Sequence, residues 1–171
     1  MNRIEQLLSV GDLRTAGKSE EVVIRVLSNP VLFDDVVNAI LTENPGLRMR
    51  ASDAAEKITR DHPEWLKPYK KKFLSQIANI NQKEVRWHTA QILPRLNLTK
   101  NERKKVYDLM IVYLKDESSI VKTFAMQALT DIAMQDSDYV DNVRNVVKRL
   151  VKNGTPAMKS RGKKLMVMLD S

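Results

Sequence analysis

The chain has 171 residues, with 29 Lys and Arg against 21 Asp and Glu, a formal net charge of +8, two Trp, four Tyr, three Phe and no Cys. That length suits one domain burying about 70% of its unfolded surface, so folding needs neither a disulfide nor a structural metal, and thiol redox chemistry and thiolate zinc sites are excluded. The opening Met1-Asn2-Arg3-Ile4-Glu5 begins no signal-like apolar stretch, and no run nears the roughly 20 apolar residues of a bilayer span, so a cytoplasmic protein with no membrane role is expected.

Apolar residues recur at spacings of three and four along almost the whole chain, as in Val106, Met110, Ile111 and Leu114, which predicts amphipathic helices. In chain order the segments are 2–10, 19–28, 31–43, 46–61, 64–80, 84–97, 101–115, 119–135, 139–152 and 156–169, punctuated by Gly11, Gly17, Pro30, Pro45-Gly46, Pro63, Gly154 and Pro156. Strand-type alternation is missing, so the fold class is all-α, with about five antiparallel hairpins. Between the first two helices, Gly17-Lys18-Ser19 has the residue types of a phosphate-cradling loop. Five residues rather than four separate Gly11 from Gly17, and no strand precedes them. An ordinary helix connection is expected there, with Ser19 as N-cap and Glu21 and Val22 opening the helix.

The chain is self-similar. Leu47-Arg48, Val85-Arg86, Val121-Lys122 and Met158-Lys159 each pair an apolar residue with a base, and the bases are 38, 36 and 37 residues apart. Three residues beyond each base stands a small residue (Ala51, Thr89, Ala125, Gly162), and six beyond an apolar one (Ala54, Ile92, Ala128, Leu165). Ten beyond stands Ile58, Leu96, Ile132 or Leu169, and eight before stands Ile40, Ala78, Leu114 or Val151. Such a period has a physical cause: a two-helix unit cannot cover its own apolar face, so like units stack.

A two-helix unit with an apolar-basic pair opening its second helix resembles the HEAT-repeat family, with Asn44, Asn81, Asp116 and Asn153 in the turns where that family carries an acidic or amide residue. The resemblance implies one domain over 1–171: a right-handed α-α superhelix of about four repeats spanning 31–169, behind a degenerate N-terminal cap at 1–30. It also implies that Arg48, Arg86 and Lys122 pair with turn groups, while Lys159, in the last repeat, is free.

His62 and His88 have no second ligand at metal spacing, so no metal and no cofactor are expected, and both are read as satisfied or solvated histidines. No nucleophile elbow or triad is legible. Charge is uneven along the chain: 16 bases against 7 acids over 46–115, 1 against 6 over 116–141, and 8 against 1 over 142–171. Bases interleaved with the core positions of first helices, namely Lys67, Lys70, Lys71, Lys72, Arg103, Lys104, Lys105, Arg144, Lys148, Arg149 and Lys152, are expected to face solvent. On second helices the positions off the core include Met49, Ser52, Asp53 and Glu56, then Trp87, Gln91 and Arg95, then Gln127, then Lys163 and Lys164. Trp87 stands out there, because a large exposed aromatic needs a neighbour or a partner to cover it.

The function expected from these features is a non-enzymatic scaffold, monomeric, that binds a protein partner through a concave face carrying Trp87, Gln91, Gln127, Lys163 and Lys164. The alternative is nucleic-acid binding through Lys67, Lys70, Lys71, Arg103, Lys104, Arg144 and Lys148. HEAT-like alkylpurine DNA glycosylases are similar basic helical stacks that use aromatic residues and an aspartate. Here the corresponding i,i+4 pair is Trp87 and Gln91, and Gln91 lacks the charge. The acidic belt of Asp116, Glu117, Asp131, Asp136, Asp138 and Asp141 offers a further expectation, weak head-to-tail contact with the basic block of another copy.

Overall fold

In a computed structural model, which describes residues 1–12 and 14–171, five of the described α-helices begin where a side chain accepts an otherwise orphaned backbone amide. Asn2 opens α1 (Arg3–Leu8) with a capping box: its Oδ1 accepts from the Glu5 amide at 2.8 Å, and Glu5 accepts from the Asn2 amide at 3.1 Å. Asn44 caps α4 (Pro45–Asp61), and Thr99 forms a second capping box with Glu102 at the start of α7 (Lys100–Tyr113). Ser118 and Thr155 cap α8 (Ser119–Gln135) and α10 (Pro156–Asp170). The remaining helices are α2 (Ser19–Ser28), α3 (Phe33–Ile40), α5 (Lys70–Ser75), α6 (Lys83–Ile92) and α9 (Val140–Asn153). Among the described residues the fold is thus all-helical, with ten α-helices and no strand, and no helix is long and apolar enough to cross a membrane.

Three of the expected helices are interrupted, in each case around proline. The segment expected over 64–80 opens as a 3₁₀ stretch Pro63–Tyr69, because Pro68 has no amide to donate and its ring disfavours the α conformation at Lys67, and continues as α5 and a 3₁₀ turn Ile77–Asn79. Pro94 likewise ends α6 and leaves the 3₁₀ turn Leu93–Arg95 where helix was expected to 97. Pro30 starts a 3₁₀ turn Pro30–Leu32 ahead of α3. Ser19 is not the N-cap of α2: Lys18 holds that position without a side-chain bond, and Ser19 is the first helical residue, buried, its hydroxyl donating to Asp53.

The chain divides into two compact units, Met1–Leu96 and Asn97–Ser171. In the first, α1 packs on α2, α3 and α4, α2 and α3 pack on α4, and α4 packs on α6. Its core joins Ile4, Leu8, Val22, Val26, Phe33, Val36, Val37, Ile40, Ile58, Phe73, Ile77 and Val85, while Ala51, Ala54 and Ala55 let neighbours approach α4 closely. In the second unit α7 packs on α8, and α8, α9 and α10 pack on one another around Val106, Met110, Val121, Leu129, Ile132, Val143, Val147, Leu165 and Leu169. Gly162 sits where α10 meets α9, and a Cβ there would stand 2.5 Å from Val151 Cγ2.

The repeat columns have a common fate in both units. Leu47, Val85, Val121 and Met158 are buried, and so are the residues three, six and ten beyond each base. The column eight before the base is less uniform: Ile40 and Ala78 are buried, Leu114 and Val151 half-buried.

Candidate functional site

Three stretches of the first unit converge on a cleft of about 220 Å³. From α4 come Met49, Arg50 and Asp53, and from α6 come Glu84, Trp87 and His88. Spacings of one, three and four residues put each triplet on one side of its helix, and α4 and α6 pack together. Arg14, Thr15 and Ala16 of the connection between α1 and α2 complete the wall.

That connection is held by a buried arginine. Arg50 is 2% exposed, and its guanidinium donates from Nε to the Leu8 carbonyl and from Nη1 to the Asp12 carbonyl at 2.9 Å. Burial pulls its pKa down, with Asp12 pulling the other way. The chain passes so close that a Cβ at Gly17, whose φ is +54°, would lie 2.2 Å from the Val10 carbonyl oxygen and 2.9 Å from Arg50 Cδ. What the sequence presents as an ordinary connection is therefore shaped around Arg50.

Asp53 is engaged through one oxygen: its Oδ2 accepts from Ser19 Oγ at 2.7 Å and from Lys57 Nζ at 2.9 Å. Lys57 also donates to Glu20 of α2. Burial pushes the Lys57 pKa down, but the hydrogen bonds it donates to Asp53 and Glu20, with their charges, outweigh this and hold it above the ordinary lysine value. Behind the cleft, Glu56, 4% exposed, accepts from Arg60 at 2.6 Å and from Arg95 at 2.5 Å, and Arg95 also donates to the Glu56 carbonyl at 2.8 Å. Burial alone would raise the Glu56 pKa, yet the two guanidinium hydrogen bonds hold it below the usual carboxylate range.

His88 is neither solvated nor satisfied, contrary to the sequence expectation. It is 9% exposed, and its Nδ1 is buried without a hydrogen bond. Burial pushes its pKa down to about 4 against the pull of Asp53, Glu56 and Glu84, so the imidazole is neutral at pH 7. Beside it the half-exposed Trp87 ring lies 5.6 Å away, tilted by 58°. His62, in contrast, stacks on Trp65 at 4.4 Å with Nδ1 3.2 Å from Glu64.

Of the residues singled out for a partner-binding face, Trp87 lines the cleft. Gln91 does not: its amide donates back to the Trp87 carbonyl at 3.2 Å, and the carboxylate that shares the cleft with Trp87 is Asp53. In the second unit both amide atoms of Gln127 are used, Nε2 donating to Asp131 at 2.9 Å and Oε1 accepting from Arg161 at 2.8 Å, whereas Lys163 and Lys164 are exposed.

Of the bases expected to face solvent, Lys67, Lys71, Lys104, Lys105, Lys148, Arg149 and Lys152 do, and Lys70 and Lys72 are half-buried. Arg103 and Arg144 depart from that expectation. The Arg103 side chain is 19% exposed and reaches Asp136 at 3.1 Å. Arg144 is 25% exposed and donates to Asp141 at 2.6 Å, Asp170 at 2.9 Å and the Leu169 carbonyl at 2.7 Å. A guanidinium long enough to reach an acid on the next element goes there rather than to water. Lys104 pairs with Asp108 at 2.6 Å, and Lys72 donates to Asn38 at 2.8 Å. Arg48 donates to the Thr42 carbonyl, in the turn before its own helix.

Arg50, Glu84 and His88 were not foreseen as site residues. One signal for Arg50 is present in the sequence: it follows Leu47 by three and precedes Ala54 by four, so the apolar stripe of α4 itself carries a charge. Compared with known proteins, the chain matches no family model and no curated protein. Among the described residues no cluster of three or more His, Asp or Glu could hold a metal. The cleft is below the ~300 Å³ at which sites for drug-sized molecules begin.

Proposed function

We propose that this chain is a HEAT-like interaction module, an α-α superhelix of about four two-helix repeats behind an N-terminal cap, which acts in the cytoplasm by binding a segment of a protein partner. The common burial of the repeat columns supports the HEAT-like reading. The observation that carries the binding role is the cleft of α4 and α6, where the half-exposed Trp87 indole lies beside the unpartnered His88 imidazole. An indole edge open to solvent is the kind of anchor that interfaces bury.

Base excision fits these residues less well. The carboxylate near Trp87 is Asp53, whose charge is already matched by Lys57 and whose oxygen is also bonded by Ser19. It therefore has little uncompensated charge with which to stabilise a cationic sugar.

The test compares tagged native chain with Trp87→Ala and with Gln91→Ala, whose side chain lies outside the cleft. Proteins co-purified from a native host extract are identified, and the leading one is titrated into Trp65→Phe chain while the fluorescence of Trp87 is followed. At least one partner retained by the native chain and by Gln91→Ala should be lost from Trp87→Ala, and it should shift the Trp87 emission. An identical set of proteins on all three chains, with no change in emission, would remove the cleft from partner binding.

A further inference from the structure

A second surface, independent of the cleft, lies on the hairpin of α9 and α10. These helices turn Val143 and Val147, and Met158, Gly162, Leu165 and Leu169, into the core. Their other faces expose Lys148, Arg149 and Lys152 on α9 and Lys159, Lys163 and Lys164 on α10. Lys148 and Lys152, like Lys159 and Lys163, are one helical turn apart, about 6 Å along the axis.

What distinguishes this hairpin from the other basic stretch is that its charge is not neutralised within the unit. Asp170 is the one acid in 142–171, and Arg144 takes it at 2.9 Å. Four of the six acids of the preceding belt are also occupied: Asp131 by Gln127, Asp136 by Arg103, Asp138 by Lys100 at 3.7 Å and Asp141 by Arg144. The side chains of these six bases take part in no ion pair or hydrogen bond with the described residues. In the first basic block Lys57, Arg60 and Arg95 are tied to carboxylates and Arg50 to backbone carbonyls, while Lys67 and Lys71 stay exposed.

The chemistry of the patch selects its partner. Five lysines, one arginine and no aromatic residue are the reverse of a protein interface, where lysine is depleted and aromatic anchors are enriched. A bilayer surface would also attract the charge, but the apolar stripes of both helices are spent on the core, and Val167 and Met168 alone offer little to insert. Cations at intervals of several ångströms, with no aromatic residue among them to stack on a base, match a dense line of phosphates.

We propose that the α9–α10 hairpin binds the phosphate backbone of a nucleic acid without reading its sequence. The experiment is fluorescence anisotropy of the full chain with a labelled 20-base-pair DNA duplex and a 20-nucleotide RNA, at about 50 and 200 mM salt. Native affinity should fall about 10²- to 10³-fold across that range, as four to six phosphate contacts require. Lys148→Glu with Lys152→Glu, and separately Lys163→Glu with Lys164→Glu, should each weaken binding at low salt at least tenfold and flatten the salt dependence, with the corresponding Gln pairs following in the same order. Lys67→Glu with Lys71→Glu, exposed bases of the first unit, should stay within about twofold of native. The proposal is overturned by no binding of either probe at 50 mM salt, by equal losses in the Lys67/Lys71 control, or by phosphatidylserine vesicles that hold the chain against excess duplex.

Discussion

His88 keeps its imidazole neutral because the cleft removes it from water, and that choice is visible to a titration. Unfolded, a histidine takes up its proton near pH 6.5; here the folded group resists until about 4. The unfolded state therefore binds more protons throughout that window, and stability is lost as pH falls from about 6.5 towards 4, by about 2 kcal/mol at pH 4.5. Glu56 acts in the same direction lower down: its folded pKa is depressed, so its stabilisation is present above the ordinary carboxylate range and fades below it. Urea unfolding at pH 7 and 4.5 should show His88→Gln losing about 2 kcal/mol less than the native chain between the two. Parallel losses would mean that His88 is protonated in the folded state. Trp87 could be marked out from sequence because size and polarity put it off the core stripe, whereas His88 could not. A neutral buried imidazole and a solvated one have the same spacing, and only the packing of α6 on α4 separates them.

Helices were legible where local chemistry and tertiary packing agree. The extents of α8 and α10 follow from apolar period and caps and that of α2 from its period, and the prediction falters where proline removes an amide that the period alone ignores, at Pro68 and Pro94. What periodicity cannot reveal is how elements are clamped. Arg95 leaves the 3₁₀ turn behind α6 to grip α4 through the Glu56 carboxylate, the Glu56 carbonyl and Thr59 Oγ1 at 3.1 Å. Two cations share that carboxylate, but they are not equivalent: the Arg60 side chain is 61% exposed and the Arg95 side chain 21%. Removing the acid strands Arg95 in a dry site, so Glu56→Ala should lower stability by about 3 kcal/mol. Arg60→Ala, by the energetics of exposed pairs, should cost less than about 1 kcal/mol. Chemical denaturation of the two variants at neutral pH checks the order, and a loss at Arg60 as large as that at Glu56 would shift the clamp to the other arginine.

Across the molecule, the formal charge of +8 conceals two populations of bases. Long guanidiniums such as Arg95, Arg103 and Arg144 reach across to acids and carbonyls, while the lysines and Arg149 of the last hairpin keep their full charge in water. Sequence counting sees a belt of six acids followed by a basic block and suggests that copies attract head to tail. The side chains argue otherwise, since Asp131, Asp136, Asp138 and Asp141 are already engaged within their own unit. Exposed ion pairs such as Asp138 with Lys100 are worth too little to exchange for a contact that must also meet the entropy of association. Like-charged hairpins on two copies repel, and screening is weakest at low salt, so low salt should disfavour association instead of promoting it. Sedimentation velocity at about 20 mM salt should give one monomeric species whose coefficient does not rise with concentration. A coefficient that rises with concentration at 20 mM and returns to the monomer value at 200 mM would mean that the belt is accessible after all.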